Sequence, residues 1–108
     1  MIQIYTIQSD TCDATFSTSA IDVTDCDRFS VEIKSSGGTT HAGTLTMDVG
    51  NESGKWETAL TLSTFSAGSA LDQFHDNIIT AARYVRFTFT RTAGASGETI
   101  TFTVCGRD

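Results

Sequence analysis

Apolar and polar residues alternate strictly along two stretches late in the chain. Val85, Phe87 and Phe89 are interleaved with Arg86, Thr88 and Thr90; Ile100, Phe102 and Val104 are interleaved with Thr99, Thr101 and Thr103. A side-chain period of two belongs to a strand with one buried and one wet face. The small-residue turn Ala93-Gly94-Ala95-Ser96-Gly97 between the stretches makes them an antiparallel hairpin. The alternation recurs in Phe29-Val31-Ile33, in Leu45-Met47-Val49 and in Trp56, Leu60 and Leu62. It predicts strands at Ile2–Gln8, Ala14–Ser17, Ala20–Thr24, Arg28–Lys34, Gly43–Val49, Lys55–Leu62, Arg83–Arg91 and Glu98–Cys105, with the named apolar residues as core. Gly-rich turns at 35–38 and 50–54 separate them and supply the positive φ angles that tight hairpins need. No stretch has helical periodicity. The expected fold is all-β: a single-domain antiparallel β-sandwich, jelly-roll-like, of seven or eight strands over residues 1–108, with 1–13 as an N-terminal arm.

Ser63 to Thr80 breaks the pattern, being small and polar at first and mixed later. Phe74, Ile78 and Ile79 mark part of it as packing down or forming a short strand, and a connection of this length suits a crossing from one sheet to the other.

At 108 residues the chain is one domain, long enough to bury a core without metal or disulfide staples. Thr and Ser make up 30 of those residues, which suits exposed strand faces. There is no proline to blunt a sheet edge, so edges must be covered, charged, bulged or paired with another subunit. The net charge of −6 repels a phosphate backbone and argues against nucleic-acid binding. No apolar run is long enough for a membrane helix. The start, Met1-Ile-Gln-Ile-Tyr-Thr-Ile-Gln, lacks the basic and apolar regions of a secretory signal, so cytoplasmic synthesis without export is expected. Reduced thiols are then expected at Cys12, Cys26 and Cys105, although Cys12 and Cys26 could pair across a hairpin. Cys105 shares the phase of Thr101 and Thr103 and should point away from the core.

No catalytic set emerges. His41 sits in a Gly/Thr turn and His75 in the long connection, and neither keeps ligand spacing with a second His or Cys. There is no Gly-x-Ser-x-Gly and no Cys with a His in register, which argues against nucleophilic hydrolase chemistry. The acidic run Asp10, Asp13, Asp22, Asp25 and Asp27 matches no calcium-loop spacing and reads as a solvated face. Glu32 and Glu57 alternate with core residues and point outward as solvating charges. Trp56 shares the phase of Leu60 and Leu62 and is assigned to the core. The expectation is a non-enzyme with no cofactor and no metal.

Two stretches together resemble small virion structural proteins of tailed bacteriophages. One is Gly43-Thr-Leu-Thr-Met-Asp-Val-Gly-Asn-Glu-Ser-Gly-Lys-Trp56, a strand, a polar-Gly turn and a Trp. The other is the closing hairpin, Ala82-Arg-Tyr-Val-Arg-Phe-Thr-Phe-Thr-Arg-Thr-Ala-Gly through Thr99-Ile-Thr-Phe-Thr-Val. That resemblance implies a β-sandwich that binds and stabilises the head shell as a capsid decoration (cement) protein, or a tail- or connector-associated subunit. Its partners would be copies of itself, as a homotrimer, and the major capsid protein or other virion subunits, with no nucleic acid and no membrane. The implied contacts are Ile2, Ile4 and Tyr5 in the arm and Phe74 and His75 in the long connection. Arg83-Tyr84-Val85-Arg86 resembles a strand of discoidin-like carbohydrate- and lipid-binding domains. The alternative it implies is a carbohydrate-binding module or adhesin-like domain with Trp56, Tyr84 and Arg86 at the ligand. On chemistry alone, Arg83 and Arg86 are partners for nearby carboxylates.

Overall fold

In the computed structural model, which describes residues 2–52 and 54–108, nine strands and no helix are found among the described residues. They are β1 (Ile2–Thr11), β2 (Phe16–Ser17), β3 (Ile21–Asp22), β4 (Arg28–Ser36), β5 (Ala42–Glu52), β6 (Lys55–Phe65), β7 (Asp72–Ile78), β8 (Tyr84–Ala93) and β9 (Thr99–Arg107). Met1 of the expected arm and Ser53 of the expected turn lie outside the described residues. One sheet runs β1-β9-β4-β7, the other β2-β8-β5-β6, with β3 also pairing β8. Every pairing is antiparallel. Counting β2 and β3 as two pieces of one strand, this is the eight-strand order of a jelly roll, two interleaved Greek keys.

The alternating stretches build the core as expected. Phe87 and Phe102 face each other from the two sheets, with ring centroids 5.7 Å apart and planes at 16°. Phe16 packs on Phe89 and Phe102, and Phe65 stacks on Phe89 at 6.0 Å. Val31, Ile33, Leu45, Val85, Ile100 and Val104 are fully buried around them. The expected arm is built into the four-stranded sheet: β1 pairs with β9 along its whole length, and Ile4 packs against the core. The long connection does cross between sheets. It delivers β7 to the edge beside β4, where Ile78 is buried.

Strand β6 departs from the expected phase. Its pairing with β5 steps from Ser63 to Thr61 and again from Leu60 to Thr58, leaving Leu62 and Ala59 as extra residues at two bulges. Each extra residue flips the side chains beyond it to the opposite face. The extra residue Ala59 turns Trp56 to the outer face of the five-stranded sheet, whereas Leu60, opposite the buried Met47, keeps its inward facing and is exposed because β6 is the edge of the sheet. The assignment of Trp56 to the core is therefore corrected. Gly37 supplies the positive φ (90°) of the turn after β4, and a Cβ there would run into the Gly97 carbonyl, so the turn admits no side chain.

Candidate functional site

The bulges of β6 assemble a constellation on the outer face of the five-stranded sheet. At its centre is Asp48 of β5, nearly buried although its phase points outward. Arg86 on β8, directly opposite in the ladder, donates from Nε at 2.9 Å. Thr88 Oγ1 donates at 2.7 Å and Thr58 Oγ1 at 3.1 Å. Burial alone would raise the carboxyl pKa, but the bonds from Thr88, Arg86 and Thr58, with the charge of Arg86, outweigh it and hold Asp48 below the ordinary aspartate value.

Pinned through Nε, the Arg86 guanidinium lies over the Trp56 ring, 4.7 Å from its centroid. Tyr84, two residues earlier on the same outward face, stands opposite Gly50 and carries the Arg83 guanidinium over its own ring at 4.9 Å. Arg83 also pairs with Asp22 at 3.8 Å. Gly50 and Trp56 line a shallow open depression with Gly54, Lys55 and Glu57. Trp56, Tyr84 and Arg86 thus share one face. An indole and a phenol ring beside an immobilised cation can stack on an apolar ligand face and donate hydrogen bonds to oxygens.

The outer face of the four-stranded sheet is different. Register places Ile7, Thr103, Glu32 and Phe74 in one row across β1, β9, β4 and β7, and Tyr5, Cys105 and Ser30 in the next. Tyr5 (64%), Ile7 (57%) and Phe74 (62%) are exposed, at the two edges of the sheet, with the polar middle between them. Ile2, opposite Arg107, is exposed as well. Of the residues expected at a partner contact, Ile2, Tyr5 and Phe74 are therefore on the surface. Ile4 points inward, and His75 is half-buried with Nε2 3.0 Å from Gln73 Oε1. Cys105 lies on this outer face, as its phase predicts. No two of the three thiols are joined: Cys12 is buried, and burial, with Glu98 and Asp13 nearby, raises it to about 11. Glu32 faces outward with Lys34 at 3.6 Å.

One buried polar centre escaped the sequence reading. His41 is fully buried, and its Nδ1 is 2.7 Å from Oε1 of Glu98, also buried. The same carboxylate accepts bonds from Thr40 Oγ1, from the backbone N–H of Thr40 (2.7 Å) and His41 (3.1 Å), and from Ala95 N–H (3.1 Å). The Thr40 hydroxyl bond is the largest influence and, against the opposing effect of burial, the set lowers Glu98 to about 2. An ionised Glu98 only accepts, so the His41 Nδ1 carries the shared proton. The other ring nitrogen, Nε2, has no partner among the described residues, and the ring packs edge-on to Phe65. The centre ties the turn after β8 to the loop before β5. Both side chains are shielded from solvent. The one cue in the sequence was a lone Glu closing a turn of small residues ahead of an alternating strand.

No family model and no curated protein matches the chain. Solved structures do share the fold. The Lys-gingipain K2 cleaved adhesin domain aligns with TM-score 0.62 at 6% identity, over 94% of this chain and 71% of that one. The CBM32 of AlyQ, solved in complex with 4,5-unsaturated mannuronic acid, aligns with TM-score 0.51 at 14% identity, over 96% and 95%. The SPBc2 prophage-derived protein YomS aligns with TM-score 0.51 at 14% identity, over 97% and 96%. The chain is therefore a β-sandwich of the kind found in carbohydrate-binding modules, an adhesin domain and a prophage protein. At these identities the likeness is one of fold.

Proposed function

We propose that this chain is a non-enzymatic structural subunit of a tailed-phage virion, a decoration protein that attaches to the head shell and braces it through the outer face of its four-stranded sheet. The observation that carries the reading is the exposed apolar set Ile2, Tyr5, Ile7 and Phe74 on the edges of a rigid jelly roll. Exposed apolar residues at both edges of one face, flanking a polar middle, suit a surface that touches more than one neighbouring subunit. The resemblance of the closing hairpin to virion proteins and the fold shared with a prophage-derived protein support it. Its mechanism is mechanical: a stiff sandwich bridges neighbouring capsid subunits, self-associates, and performs no chemistry. Because β1 is part of the sheet, the test uses point variants and leaves the strand in place. Tyr5→Ser with Phe74→Ser is expected to reduce co-sedimentation with heads built from the cognate major capsid protein by about tenfold or more while the thermal melt is unchanged. Undiminished attachment would overturn this role for the face.

A second reading, a glycan-binding or adhesin-like domain, is favoured by one observation: Trp56 is half-buried on the outer face, under the pinned Arg86, and Tyr84 is on the same face. The fold shared with a carbohydrate-binding module and an adhesin domain supports it. The two readings use opposite faces and are compatible in one molecule. Trp56 is the sole tryptophan, so its emission reports directly on the site. Titration with neutral and acidic oligosaccharides is expected to change that emission, and Arg86→Ala to abolish the change. No response to any sugar would remove the reading.

A further inference from the structure

The two sheets have four edges, one of them built from β2 and β3, and three of the four are guarded. β7 is short, carries Asp72 and Asp76, and is bulged against β4. β6 is bulged repeatedly and carries Lys55 and Glu57. β2 and β3 are two residues each. Such devices prevent edge-to-edge pairing. β1 has almost none of them: ten residues, no proline, one irregularity near Ile2, and a single charge, Asp10, near its far end. In a chain of net charge −6, a ten-residue edge strand with one charge, touched along its edge by the Ser19 N–H bond to the Gln8 side chain (2.7 Å), is an exception.

We propose that β1 pairs with β1 of a second copy of this chain, antiparallel about a two-fold axis at Thr6, to give a dimer with a continuous eight-stranded sheet. The inference rests on the reading of this sheet as an assembly surface and specifies its first partner. The self-match of the strand identifies the occupant. With Thr6 on the axis, Tyr5 stands opposite the partner's Ile7, and Ile7 opposite the partner's Tyr5. All four are outward and exposed in the single chain, so pairing closes them into one apolar cluster. Inward, Ile4 meets the partner's Gln8 and Thr6 meets the partner's Thr6. A one-residue slip would set outward residues opposite inward ones, and a two-residue slip, which keeps the facing, would break the Tyr5–Ile7 pairs. The two-fold contact is isologous and closes on itself; it makes a dimer where the sequence-based expectation was a homotrimer.

The test is sedimentation equilibrium of the full chain over a concentration series, with Ile7→Lys as the disrupting variant. Ile7 is mostly exposed, so the substitution leaves the core intact, and an unchanged thermal melt verifies it. The expected result is a wild-type dimer and an association weakened about tenfold or more by Ile7→Lys, since it sets a lysine at both symmetry-related positions. Register is read by cross-linking. Tyr5→Cys with Ile7→Cys should oxidise to a covalent dimer, and Tyr5→Cys alone should not. Both are made on a Cys105→Ser background, because Cys105 lies directly opposite Tyr5 within the chain. A wild-type monomer, a trimer, or a dimer indifferent to Ile7→Lys overturns the proposal. A monomer that still attaches to heads would mean that a different chain takes the edge, leaving the virion reading intact. A dimer that fails to attach would do the reverse.

Discussion

Phe87→Ala is expected to lower the unfolding free energy by about 3–5 kcal/mol, the cost of emptying a large fully buried aromatic site. Phe87 has no exposed surface and stacks on Phe102 across the two sheets, so its removal takes the central contact from both. Domains of this size are stable by roughly 5–15 kcal/mol, and the variant would retain little margin. Urea denaturation, read as a shift in midpoint at unchanged slope, measures the loss. Leu60→Ala is the informative control. Alternation along the sequence puts both residues in the core, but Leu60 is 43% exposed, and its truncation is expected to cost less than about 1 kcal/mol. Equal losses at the two positions would mean that β6 is not the open edge described.

The second large effect is at Glu98. Its pKa is 4.5 when free and about 2 in the fold. A carboxyl whose folded value is depressed stabilises the protein above its unfolded value, and the contribution is lost as pH falls through the folded one. Thermal stability of the wild type should therefore fall between about pH 4.5 and pH 2. Glu98→Gln should be less stable at pH 7, because the His41 ring, the Thr40 hydroxyl and three backbone N–H groups lose an ionised acceptor. It should also show a shallower decline below pH 4.5. Asp22, Asp48 and Asp108 are lowered too, so the acid limb flattens without vanishing. Melting curves recorded from pH 7 to pH 2 on both proteins decide it. Parallel curves would place the acid sensitivity elsewhere.

The site was partly legible. Tyr84 and Arg86 are outward by simple alternation on β8, which pairs regularly with β5 from Tyr84 to Arg91 in the middle of its sheet, and their outward facing could be read directly. Trp56 could not. It lies beyond the bulge at Ala59, and a bulge reverses facing without leaving a residue pattern that separates it from a regular strand. Asp48 shows the complementary failure. Its outward phase was correct, but outward meant buried, because Arg86, Thr88 and Thr58 close over it from two neighbouring strands.

Local alternation and turn chemistry were enough to define the class, the sandwich, six of the long strands and most of the core, because a period of two is a property of neighbours in the chain and needs no knowledge of the partner strand. That the segment 72–78 becomes an edge strand, that Trp56 joins Arg86, that Glu98 holds His41 from 57 residues away, and that β1 is the unguarded edge were all decided in three dimensions. Each depends on which strands lie side by side and in what register. That is a long-range outcome of packing two sheets face to face, and no window of local sequence contains it.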